Sequence, residues 1–130
     1  MLRPIRTGGA PSPIGPYSQA ISAACGELVF TAGMVGNDPA TGQMVEGGIA
    51  AETERALDNL AAVMAAAGLS FSDVARTTIY LVDLGEFPVM NTIYARRMGD
   101  HRPARSTVGV AALPLGARVE IDMLAVRRPA

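Results

Sequence analysis

The chain has 130 residues, a formal net charge of −1, 49% hydrophobic residues, one cysteine and one histidine. That length suits one domain with a core of its own. The counts exclude an internal disulfide, a cysteine-cluster metal site and a histidine-rich zinc site, and the scattered arginines, adjacent only at Arg96-Arg97 and Arg127-Arg128, form no basic stripe for nucleic acid.

Residues 1–16 carry Pro11, Pro13, Gly15 and Pro16 and read as an extended N-terminal arm, neither helix nor strand. The arm has no apolar signal core, and no apolar run in the chain is long enough to span a bilayer. A cytoplasmic protein without a membrane partner is the expectation. Residues 17–24 and 28–34 read as two strands joined into a hairpin by Cys25-Gly26-Glu27. Gly33, inside the second strand, marks a bulge, a strand end or a close approach by a ligand or another backbone.

Residues 35–48 form a loop with turn chemistry at Asp38-Pro39 and Thr41-Gly42. From Ile49 the period becomes helical, with Ala56, Leu57, Leu60, Val63, Met64 and Ala67 on one stripe. Gly68 stops this helix, which reads as scaffold. Residues 74–82 form a third strand. Asp83-Leu84-Gly85-Glu86 resembles a capping box, and Pro88 delays the regular second helix to Phe87 or Pro88. Phe87, Met90, Tyr94 and Met98 give its buried stripe, and Gly99 ends it. His101 falls in a loop as a surface histidine.

The last stretch, residues 102–122, reads R-P-A-R-S-T-V-G-V-A-A-L-P-L-G-A-R-V-E-I-D. Strands over 104–110 and 119–126 flank the turn at Leu113-Pro114-Leu115-Gly116. Pairing them directly puts Thr107 opposite Glu120 and Arg105 opposite Asp122, so that a guanidinium, a hydroxyl and two carboxylates share one patch. Such a patch is either a solvated cross-strand salt bridge or a site where arginine grips a planar anion and glutamate handles a water.

The order β-β-α-β-α-β-β predicts an α+β fold, a single mixed sheet with two helices on one face. Strands 74–82 and 119–126 carry apolar residues on both parities. The face left without helices is therefore a contact surface, which a symmetric oligomer covers economically.

These pieces resemble a known family. G-P-Y-S-Q-A at 15–20, F-T-A-G-M at 30–34, D-P-A-T-G at 38–42, A-L-D-N-L at 56–60, V-D-L-G-E-F at 82–87 with Asn91 and Tyr94, R-P-A-R-S-T at 102–107 and V-E-I-D-M-L-A-V at 119–126 are similar, in order and spacing, to the Rid family (YjgF-type; reactive intermediate/imine deaminases). The resemblance implies a chorismate-mutase-like homotrimer with sites in the clefts between subunits. It implies hydrolysis of short 2-imino and enamine acids to 2-keto acids and ammonia, without metal or cofactor, as in a 2-iminobutanoate/2-iminopropanoate deaminase. Carried over by position, Arg105 binds the substrate carboxylate and Glu120 positions the water. Tyr17, Gly33, Asn91 and Thr107 are the implied substrate-binding residues. Where the family commonly has Ser-Gly-Gln, this chain has Ala32-Gly33-Met34, and Thr107 stands where cysteine or serine is usual. These departures motivate an alternative, a non-catalytic trimer that binds small carboxylates such as 2-keto acids.

Overall fold

The computed structural model describes residues 2–24 and 26–129. The fold is α+β, with strands β1 (Leu2–Ile5), β2 (Ala20–Ala23) and β3 (Glu27–Phe30), helix α1 (Gly48–Ala66), strand β4 (Val74–Leu81), helix α2 (Phe87–Met98), and strands β5 (Ala104–Gly109) and β6 (Val119–Arg127). Four strands form a mixed sheet in the order β3-β6-β4-β5, and β1 and β2 form a separate antiparallel pair. No helix is long and apolar enough to cross a membrane.

The pairing corrects three expectations. First, β2 and β3 do not form a hairpin: β2 pairs with β1, and β3 pairs with β6. Gly26 explains the divergence, because a Cβ there would lie 2.0 Å from the Arg127 carbonyl oxygen. Only glycine lets the chain pass that close to the end of β6. The predicted turn at Cys25 itself lies outside the described residues. Second, the arm is not free of strand, since Leu2–Ile5 pair with Ala20–Ala23; Pro4 is tolerated in so short a two-stranded ladder, where one of its sides carries no partner. Third, β5 and β6 are not neighbours. β4 lies between them, parallel to β5 and antiparallel to β6.

The two helices cover one face. Leu57, Leu60 and Met64 of α1 and Met90 and Tyr94 of α2 cluster with Ile79, Leu81, Ile121 and Met123 of the sheet, nearly all completely buried. Truncating one such leucine to alanine costs about 2–5 kcal/mol. Alternation sends Glu120, Asp122 and Leu124 to the opposite face. A register shift between Val74 and Arg76 breaks that alternation in β4, so Val74 joins the helix-side core with Ile79 instead of sharing a face with Tyr80. The helix-free face displays Leu28, Phe30, Val82 and Val108, all substantially exposed.

Both helix boundaries follow the local chemistry. Gly68 has φ +74 just beyond α1 and Gly99 has φ +63 just beyond α2, conformations that favour glycine. Before α2, the Asp83 carboxylate accepts from the Gly85 amide at 2.8 Å and shapes one tight turn, after which the regular helix starts at Phe87. Glu86 does not complete a capping box. It accepts from Arg118 at 3.0 Å instead. Glu52 of α1, although charged, is only 6% exposed and accepts from the Arg118 amide at 2.8 Å. His101 is likewise not a free surface histidine: its Nε2 donates to the Val74 carbonyl oxygen at 2.6 Å and ties the loop after α2 to β4.

Candidate active site

Arg105 stands on β5, an edge strand of the main sheet, which the segment just before β2 approaches through a bridge between Ser18 and Ala104. Its pairing partner is Thr77, which is fully buried under α2 and accepts from the Tyr94 hydroxyl at 3.1 Å. Arg105 therefore leaves the sheet on the helix side. There its Nη1 donates to Asn91 Oδ1 at 2.7 Å. The guanidinium carbon lies 5.5 Å from the centre of the Tyr17 ring, 5.6 Å from Phe87 and 5.0 Å from Tyr94. Three ring faces at that range hold a cation by their quadrupoles.

No carboxylate of the described residues pairs with Arg105, although Arg55, Arg96, Arg97, Arg118 and Arg127 all have such partners. Burial pushes Arg105 below the ordinary guanidinium value, and Tyr94 and Tyr17 oppose that push. It remains a cation at any working pH. Burial also raises the Tyr94 phenol. The result is a partly desolvated positive charge with its fork free on one side, beside a cavity of about 270 Å³ lined by Ile14, Gly15, Tyr17, Phe87, Arg105 and Thr107. Gly15 makes room here, since a Cβ on it would sit 3.3 Å from Arg105 Nη2. The Thr107 hydroxyl oxygen is buried without a hydrogen-bond partner.

Glu120 is elsewhere. It pairs with Tyr80 of β4, which pairs with Val108 of β5, and this row faces the helix-free side. The predicted register of Thr107 against Glu120 and Arg105 against Asp122 is thus overturned, because β4 separates the two strands and the two side-chain sets leave on opposite faces. Asp122 accepts from the Tyr80 hydroxyl at 2.9 Å, a bond that raises the Tyr80 phenol, with burial adding to it. Gly33 belongs with Glu120: a Cβ at position 33 would lie 2.2 Å from Glu120 Oε2. The chain thus carries two clusters, Arg105 with Tyr17, Asn91 and Thr107, and Glu120 with Gly33.

Met34 does not join either cluster. It bridges to Ile121, packs against the core and lines a separate cleft with Asn37, Pro39, Arg55, Asn59, Ala62 and Val63. Two residues that sequence reasoning assigned to the core touch the site. Phe87 and Tyr94 present their rings to Arg105, and Tyr94 does so while fully buried. Asn91 at the same helical spacing was the available signal, because Phe87, Asn91 and Tyr94 recur at i, i+4 and i+7. Ile14, in the arm, was also missed. Among the described residues, no group of three or more His, Cys, Asp or Glu side chains is placed to hold a metal ion.

Comparison with known proteins agrees with this architecture. The family model described as Endoribonuclease L-PSP matches residues 7–127. Protein DfrA of Myxococcus xanthus is 50% identical over 122 residues, 94% of this chain and 93% of that one. The human 2-iminobutanoate/2-iminopropanoate deaminase is 42% identical over 127 residues, 98% of this chain and 91% of that one. The crystal structure of YyfA from Yersinia pestis, described as a protein of unknown function of the conserved Rid family, superposes with a TM-score of 0.76 at 40% identity, covering 98% of this chain and all of that one (100%). The chain belongs to the endoribonuclease L-PSP family, the YjgF/Rid proteins.

Proposed function

We propose that this protein hydrolyses short 2-imino acids, and the enamines in equilibrium with them, to 2-keto acids and ammonia. The observation that carries this reading is Arg105, a desolvated guanidinium held by Asn91 and three rings, with no carboxylate partner of its own beside a small cavity. A substrate carboxylate completes it through two parallel charge-assisted hydrogen bonds, which fixes the direction of the imine carbon.

In this reading Glu120 of a second copy of the chain closes the cavity. The exposed apolar face carrying Leu28, Phe30, Val82 and Val108 also carries Glu120, so covering it with a neighbour delivers that carboxylate to a cleft between subunits. A cyclic trimer repeats the contact three times and leaves no face uncovered. Glu120 takes a proton from water as the water oxygen attacks the imine carbon, and the C=N electrons move to nitrogen. That proton passes to the nitrogen and completes the neutral carbinolamine; Glu120 then relays the hydroxyl proton to the same nitrogen, the oxygen forms the carbonyl, and the C–N bond breaks to release ammonia. Such imines already hydrolyse in water, so orientation and one proton acceptor suffice.

The test is a trapping competition. An amino-acid oxidase generates imines in the presence of semicarbazide, and the protein is added. Loss of semicarbazone with wild type, and its return with Arg105→Ala and with Glu120→Ala, supports the reading. A fully active Arg105→Ala protein sinks it. A ribonuclease reading of the family description is disfavoured by charge: the chain carries a net charge of −1, and five of its eleven arginines pair with neighbouring carboxylates, whereas nucleic-acid binding calls for a basic patch.

A further inference from the structure

Ile14 is 96% exposed, far more than any other large apolar residue of the described chain, yet it lines the Arg105 cavity with Phe87. It is also not free to drift. The Gln19 side-chain amide donates to the carbonyl oxygens of Thr7, Ala10 and Pro11 at 3.1, 3.3 and 2.7 Å, and its oxygen accepts from the Thr7 amide at 2.8 Å. The Ile14 amide itself donates to the Tyr17 hydroxyl at 3.2 Å. One glutamine thus folds residues 7–11 into a compact loop, and one tyrosine fixes the start of the segment that follows. Four hydrogen bonds fix the loop before Ile14 and one fixes its own amide, yet its side chain gains nothing from burial within its own chain.

We infer that Ile14 is a specificity-determining wall, which selects imino acids with apolar side chains of three or more carbons, and that Gln19 is the positioning residue that holds it there. The inference rests on the Arg105 cavity binding a 2-imino or 2-keto acid. With the carboxylate on Arg105 and the rings of Tyr17 and Phe87 already stacked against that guanidinium, Ile14 is the one aliphatic side chain of the lining. A long apolar substrate side chain covers Ile14 and is desolvated by it, whereas the methyl of the alanine-derived imine is too short to do so. An acidic side chain finds no cation on this wall and loses water against it.

The experiment compares two ratios. The first is kcat/KM for the leucine-derived imine over that for the alanine-derived imine. The second is the ratio of Kd values for pyruvate and 4-methyl-2-oxopentanoate by titration calorimetry, which needs no turnover. In Ile14→Ala both ratios fall by roughly fivefold to tenfold, the effect expected of a partly open apolar contact. Gln19→Leu moves them the same way, while the oligomeric state by size exclusion stays that of wild type. An unchanged pair of ratios, or an equal loss on both ligands, overturns the inference. If wild type suppresses no semicarbazone but binds the longer keto acid more tightly, and Ile14→Ala erases that preference, the hydrolytic reading fails and the wall stands. If wild type binds neither keto acid, both fall.

Discussion

Arg105 and Glu120 leave the sheet on opposite faces, with the whole of β4 between their strands. Neither side chain can serve the other's ligand within one chain. If they act together, they do so across a subunit boundary, and that is open to direct test. Arg105→Ala and Glu120→Ala are each expected to be inactive. Unfolded together in equal amounts and refolded, random assortment into a cyclic trimer regenerates about one quarter of the sites intact. Recovery of activity in the mixture, measured by semicarbazone suppression, supports a shared site. No recovery defeats the two-copy arrangement.

Asn91 tunes the arginine. Its amide oxygen occupies one edge of the guanidinium at 2.7 Å. Asn91→Asp puts a negative charge there and competes with the ligand, so it should weaken keto-acid binding more than Asn91→Ala does. Removing a hydrogen bond to a charged group is worth about 1.5–3 kcal/mol, so Asn91→Ala should raise Kd by roughly tenfold to hundredfold at most. Calorimetric titration of pyruvate into both variants checks the order.

Gly33→Ala tests the other cluster. The new methyl would stand 2.2 Å from Glu120 Oε2, and the carboxylate must move away. The expected result is a large loss of hydrolysis with little change in Tm, because Glu120 is only partly buried and its side chain has room to rotate. Thermal melts and the trapping assay on the same preparation separate the two effects.

Phe30 is 68% exposed on the helix-free face. Phe30→Asp introduces a charge into what is proposed as the subunit contact, and burying an unpaired carboxylate there is unfavourable by several kcal/mol. Size exclusion should show a monomer, and the trapping assay should show lost activity with α1 and α2 retained by circular dichroism. An oligomer of unchanged size argues that this face is covered by something else.

Two of the three tyrosines titrate late. Tyr94 is raised by burial, and Tyr80 by its bond to Asp122 and then by burial. A phenol whose folded value lies above its unfolded value stabilises the fold fully below the unfolded value, here 10.0. That contribution is lost as pH rises through the folded value. Absorbance at 295 nm should show both phenols ionising later in the native protein than in denaturant. Tyr94→Phe should remove one late step together with the Thr77 bond.

The helices were legible in the sequence because their signals are local: the stripe through Ala56, Leu57, Leu60 and Met64, the glycines at 68 and 99, and Pro88 after Asp83. Arg105 stood out as an arginine in a strand with Thr107 two residues on, but spacing alone left it open between a solvated salt bridge and an anion site, and only the family resemblance implied its role. Strand order was not. Nothing near β5 or β6 announces that β4 inserts between them, since that choice is made by contacts far apart in the chain. The bulge near Ala75 was hidden too, because a strand with apolar residues on both parities looks the same in either phase. Phe87 and Tyr94 were taken as core because an aromatic ring on a helical stripe packs in either case. Only the cation beside them reveals the second role.

The N-terminal pair β1–β2 lies apart from the main sheet's ladder; it is joined to it by the bridge from Ser18 to Ala104, by the Ser18 hydroxyl bonded to the Arg102 carbonyl oxygen and by contacts of β2 with β4. Yet this appendage carries Tyr17 and holds Ile14. One wall of the cavity therefore belongs to a two-stranded unit outside the main sheet, which is expected to open below the free energy of global unfolding. Amide hydrogen exchange should be fast across Leu2–Ile5 and Ala20–Ala23 and slow across β4 and β6. A bound keto acid, touching both units at once, should slow the first set and leave the second unchanged. On that outcome, ligand binding doubles as the final folding step of residues 2–23.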